Sequence, residues 1–289
     1  MIFTHSRTIG ASILVLFLAR APVYGQGSAG VTVKAGAAVL QISDERPLAA
    51  ALDALARAFR WQIGFEEARL RYAGDLIDMT SRHYVPRFKN DRAYDPRGGP
   101  LGITFAVSPE TGEPGDPIPI VRKLLEEYHA RGYPGRYAFI SQPGPNAYIY
   151  VFPEAVANES STFERQEPLT KTKVTVAVAE NQQLIMVLQD VLTQLGRGSS
   201  SRVLLGGMAM NAMFQPSASH LKSTTEEGFL FLNSTALAMG QSFWQVLWNP
   251  TGKLYLFGYG HRGGGATTPG AFASRFVRSP PRRSWNVDG

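Results

Sequence analysis

The sequence predicts an α+β fold made of two β-α-β-type modules. Each has a small mixed sheet, a C-terminal hairpin and one or two helices on one face of that sheet. Three observations carry this reading. An apolar helical stripe occurs twice with identical spacing: Leu48, Leu52, Leu55 and Phe59, then Leu184, Leu188, Val191 and Leu195. Alternating β runs flank each stripe. A hairpin signal then closes each half, with a Pro-Gly-Pro-Asn turn inside 135–153 and an Asn-Pro-Thr-Gly turn inside 242–260.

Taken in order, the chain begins with Arg7, an apolar run from Ile9 to Ala19, and small residues at Val23 and Gly25. That is the pattern of a secretory signal peptide over 1–25, and it is too short for a spanning helix. The first module is expected over 26–153. Leu40 and Ile42 alternate with Gln41 and Ser43 as a half-buried strand, Pro47 suits the first helical position, and Trp61, Ile63 and Phe65 mark the next strand. "LGITFAV" at 101–107 reads as a strand, and Ile120, Val121, Leu124, Leu125 and Tyr128 mark the apolar side of a second helix. The polar stretch 154–173 is expected to be a linker.

The second module is expected over 174–260. Val176 and Val178 match Leu40 and Ile42, and Glu180 matches Asp44. "RVLL" at 202–205 supplies the strand after the helix, and "GFLFL" at 228–232 reads as another strand. "STALAMG" at 234–240 leaves room for only a short second helix. The excursions 67–99 and 206–227 are long for compact domains, so each is expected to contain a short element. Residues 261–289 read as a disordered basic tail.

Charge narrows the partners. Arg7 and Arg20 in the leader, with five arginines against Asp288 in the tail, carry the whole net charge of +6. The body is neutral, so there is no electrostatic case for nucleic acid. The tail is compatible with contact to an anionic membrane surface. With 0 Cys there is no lipid-acceptor cysteine, disulfide framework or thiolate metal site. The expected location is periplasmic or secreted.

Catalytic signals are sparse. Ser219 to Lys222 fits S-x-x-K without the S-D-N and K-T-G partners that chemistry needs. Glu126 and His129 form a single E-x-x-H, where a di-iron bundle needs two. His83 stands beside Arg82, Arg87, Lys89 and Arg92 in a polar loop. Met208, Met210 and Met213 read as loop or core packing. The expectation is a protein that is not an enzyme and holds no cofactor or metal. The alternative is a small periplasmic hydrolase with a site in 67–99 or 206–227, built on His83, His129 or His220.

Two aromatic rows are the candidate partner-binding residues: Tyr148, Tyr150 and Phe152 in the first hairpin, and Tyr255, Phe257 and Tyr259 in the second. The opposite faces of these strands are aliphatic and suit the helices. The aromatic rows then need cover, from within the chain or from a partner.

The stretch "RPLAAALDALARAFRWQIGFE" resembles the STN domain, the short N-terminal module of secretins and TonB-dependent receptors. The matching positions, within 38–66, are Pro47, Leu48, Ala51, Leu52, Leu55, Ala56, Ile63 and Phe65. Arg60 and Trp61 stand where that pattern has a glycine. The second copy keeps Leu184, Leu188 and Gly196, with Val191 for the third leucine. The resemblance implies a periplasmic β-α-β module that serves protein interaction and brings no catalytic residues. Neither a secretin ring sequence nor an outer-membrane barrel accompanies it. The expected function is therefore a non-catalytic interaction or scaffold protein of the cell envelope, with an unidentified envelope protein as partner.

Overall fold

A computed structural model describes residues 28–80, 92–143, 147–179, 182–207 and 221–260. The segments expected to be a signal peptide and a basic tail, Glu180, the loop around His83 and the segment holding Met208, Met210, Met213, Ser219 and His220 lie outside the described residues.

The class is α+β, as the two periodicities require. β1 (Ser28–Lys34), β2 (Ala37–Asp44) and β6 (Gly99–Ala106) form an antiparallel three-stranded sheet with β2 in the middle. Helix α1 (Pro47–Phe59) follows β2 and begins with its proline at the first turn. Leu48, Leu52 and Leu55 are buried along the expected stripe. The helix ends on Arg60 at φ 56°, a left-handed conformation that favours glycine. Helix α2 (Pro117–Ala130) is capped by Asp116, whose Oδ1 accepts from Ile118 N at 2.9 Å. It buries the five residues that its periodicity marks.

The main departure lies in the central sheet. Both hairpins form as expected, β7 (Arg136–Gln142) with β8 (Tyr148–Ala157) and β13 (Phe243–Asn249) with β14 (Leu254–Tyr259). They do not close two separate sheets. β3 (Gln62–Glu66) pairs in parallel with β8 on one side and with β13 on the other, so Gly64 stands between Tyr150 and Trp244. With β11 (Arg202–Gly207) parallel to β14, one mixed sheet runs β11-β14-β13-β3-β8-β7 across both halves of the chain. A strand that is apolar on both faces and flanked on both edges has no solvent side. Its partners are chosen by burial rather than by nearness in sequence.

The expected linker is part of this sheet. β8 runs on to Ala157, and β9 (Phe163–Arg165) pairs with its end. A 3-10 turn at Leu169–Lys171 then buries Leu169 and Thr170. The excursion 67–99 holds a short antiparallel pair, β4 (Leu76–Asp78) with β5 (Tyr94–Pro96). The excursion 206–227 holds β12 (Thr224–Glu227), which pairs with β10 (Lys173–Val176).

The helices lie on both faces of the central sheet rather than on one. α1 and α2 pack between the three-stranded sheet and the face carrying Ile63 and Phe65. α3 (Leu184–Gly198) covers Val203 on the other face. Beside it lies α4 (Gly228–Ala238), in the stretch read as a strand. Its sequence has no helical period because polar Asn233 and Thr235 lie on the buried side while Leu237 and Ala238 lie on the exposed one, and an apolar run without a period cannot be told from a buried strand by pattern. Gly228 is needed for close packing: a Cβ there would stand 2.7 Å from Leu195 Cδ2 and 3.1 Å from Thr170 O.

Candidate functional site

Of the six aromatic residues proposed as a binding face, Tyr150, Phe152, Tyr255 and Phe257 are core, and Tyr148 and Tyr259 pack against it. Rows from the two hairpins fall on the same face of the single sheet, under α3 and α4. Tyr150 and Phe257 are 0% exposed and Tyr255 2%; Phe152 is buried, and Tyr148 and Tyr259 are half-buried. Phe229 of α4 stacks on Tyr150 with ring centroids 4.6 Å apart, and Trp244 also stacks with Tyr150, at 5.7 Å. Trp244 Nε1 donates to Asn233 Oδ1, and Tyr259 OH donates to Thr235 Oγ1 at 2.8 Å. α4 therefore supplies both the apolar cover and the polar partners. The cover of the four buried aromatics comes from within the chain.

Two consecutive glutamates at the end of β3 were not singled out by sequence, yet they organise the interior. Glu66 turns toward the strap 166–172. Its Oε1 accepts from Leu169 N at 2.7 Å; its Oε2 accepts from Thr170 N at 2.9 Å, Thr170 Oγ1 at 2.9 Å and Tyr150 OH at 3.0 Å. Burial pushes its pKa above the ordinary carboxylate value, and these donors pull part of the way back. Glu67 faces the other way and pairs with the Arg46 guanidinium, while Trp248 N donates to its Oε2 at 2.9 Å. Arg46 also donates to Trp248 O at 3.0 Å and stands 3.8 Å from Asp95. Burial lowers the guanidinium pKa, opposed chiefly by Asp95 and Asp44. Both clusters tie β3 to distant segments, and their polar atoms are occupied by one another. The signal for them was "FEE" itself, two acidic residues on the end of a buried apolar strand.

The histidine that the structure describes is likewise engaged. His129 Nε2 accepts from Tyr137 N at 3.0 Å, so the ring is neutral at that nitrogen. Burial, then nearby Arg136, lowers its pKa below the ordinary 6.5. The unfolded chain takes up this proton as pH falls through the ordinary value while the folded chain resists it, so stability present above that pH is lost below it. We expect the urea midpoint to fall between pH 7.5 and pH 5.5. His129→Gln, which keeps an acceptor without titrating, should show a smaller fall. An unchanged slope in that variant would exclude His129 as the source.

An open cleft of about 300 Å³ lies between the strap and the end of α3. Arg69, Arg71, Arg165, Gln166, Ser199 and Tyr255 are among its walls. Gln166 is fixed there by Arg69 N, which donates to its Oε1 at 2.9 Å. The Arg69 guanidinium stands 5.3 Å from the centroid of the Trp248 ring. Glu167 is held by Arg165 at 2.9 Å, and Glu164 accepts from Asn158 at 2.6 Å. Arg69 and Arg71 enter no ion pair among the described residues. Two such guanidinium groups at one cleft suit a carboxylate or phosphate oxygen pair. Among the described residues no three acidic or histidine side chains gather as metal ligands, and no helix is long and apolar enough to cross a membrane.

Compared with known protein families, with curated proteins and with solved structures, the chain matches none.

Proposed function

We propose that this chain is an exported, non-catalytic interaction protein of the bacterial cell envelope, and that the arginine cleft is where it takes hold of an acidic group on its partner. The cleft carries this reading: it is walled by Arg69 and Arg71, which pair with no carboxylate among the described residues. The leader-like start, with Arg7, the run from Ile9 to Ala19 and small Gly25, supports export. The envelope partner would present aspartate, glutamate or phosphate on an extended or loop segment that fits an open cleft.

A fluorescent hexaglutamate peptide tests the cleft. The full chain recovered from the envelope fraction should bind it in low salt and release it as salt rises, because exposed ion pairs are screened. The double charge reversal Arg69→Glu with Arg71→Glu should weaken binding by about tenfold or more, a loss of at least ~1.4 kcal/mol. Equal binding by wild type and variant would sink the proposal.

A further inference from the structure

The central sheet contains one three-strand unit twice. In each, a strand leaving a helix pairs in parallel with the second strand of a hairpin, whose first strand lies outermost: β3-β8-β7 after α1 and β11-β14-β13 after α3. The units follow one another in the same order, because β13, the last strand of one, pairs in parallel with β3, the first strand of the other. Strand direction reverses between the units, and the helix moves to the opposite face. They are thus related by a half-turn about an axis across the strands, with a step along the sheet. Such a contact is head to tail and joins two different surfaces, so each end of the molecule presents one unused half of it. Those halves are β7, the equivalent of β13, and β11, the equivalent of β3.

We propose that a second copy of this chain docks there, with β7 of one copy pairing in parallel with β11 of the next. The directions fit. β7 and β11 both run opposite to β3, and two successive half-turns restore the starting orientation, so successive copies are related by a step along the sheet. The surfaces fit as well. Among the described residues β7 and β11 are the outermost strands. Ala138, Phe139 and Ile140 are half-buried on β7; on β11 Leu204 is 39% exposed and Leu205 half-buried. The charges on the two strands are Arg136 and Arg202, and neither strand carries the lysine, proline or inward acidic residue that keeps sheet edges apart. At the equivalent junction inside the chain Ile63, Phe65, Trp244 and Val246 are fully or almost fully buried.

This contact does not depend on the arginine cleft, and salt separates the two. Screening weakens the cleft's ion pairing, whereas an apolar edge flanked by Arg136 and Arg202 loses nothing to it. Sedimentation of the full exported chain should show a mass that rises with concentration in multiples of one chain and does not fall with added salt. Phe139→Lys and Leu204→Lys should each be monomeric, since each blocks one end. Their equimolar mixture should give a dimer and nothing larger, because one free β7 meets one free β11. Ile140→Glu and Leu205→Glu replace them if a lysine variant loses its circular dichroism. A wild type that stays monomeric at every concentration overturns the proposal, and so does a folded β7 variant that still assembles alone.

Discussion

Replacing Arg46 with alanine should cost about 3–5 kcal/mol of stability, because it leaves a buried carboxylate without its counter-charge. Arg46 is 4% exposed, and its guanidinium joins Glu67, Trp248 O and Asp95. In the variant, Glu67 keeps the Trp248 N–H and loses its cation. The loss is a large share of the ~5–15 kcal/mol that stabilises an ordinary domain. The control is the pair Arg46→Met with Glu67→Leu, which removes both charges and fills similar volume. Such replacements are neutral or stabilising when packing is kept, so much of the loss should return. Urea midpoints measure both. A change below about 1 kcal/mol in the single variant would mean that the pair behaves as a solvated surface ion pair.

Leu52→Asp should unfold the chain from both ends at once. Leu52 is 0% exposed on α1, between the three-stranded sheet and the central one. The substitution gives up ~1.5–3 kcal/mol of burial and places a carboxylate where no partner waits, at a further cost of several kcal/mol. β3, which α1 supports, pairs with strands from both halves, so damage under α1 reaches β13 directly. Leu188→Asp, on the far face, should act in the same way. The measurement is urea unfolding followed by circular dichroism and by the fluorescence of buried Trp244 and Trp248. Both probes should collapse in one transition. A Leu52→Asp chain that keeps its Trp244 signal would show two independent halves.

Much of this fold is local and was legible in the residues. The stripes of α2 and α3 obey the 3.6-residue period because each helix buries one side and leaves the other in water; α1 keeps the period although it is buried nearly all round, because its large side chains share one side and small alanines fill most of the rest. Two hairpins followed from their turn residues, and β2 and β3 from alternation. The core residues under α2, from Ile120 to Tyr128, are those the period marks. α4 was misread because its wet side carries Leu237 and Ala238 while Asn233 and Thr235 are buried, so polarity sets no period. The linker was misread because its polar composition hides two residues, Leu169 and Thr170, that a buried carboxylate draws inward.

By itself the sequence determined the α+β class, the helices with a regular apolar stripe, the hairpins, and the fact that both faces of their strands are apolar. Which strand lies beside which was decided by the tertiary structure. β3 and β13 are separated by most of the chain, and a parallel pairing leaves no turn signal between its partners. The same holds for the site. Arg69 and Arg71 carry no mark in the sequence; the strap, drawn in by Glu66, and the end of α3 close two walls around them. Periodicity reports whether a residue meets water or core. It does not report which part of the core, because burial is non-directional and the choice of neighbour is made by the whole packed molecule.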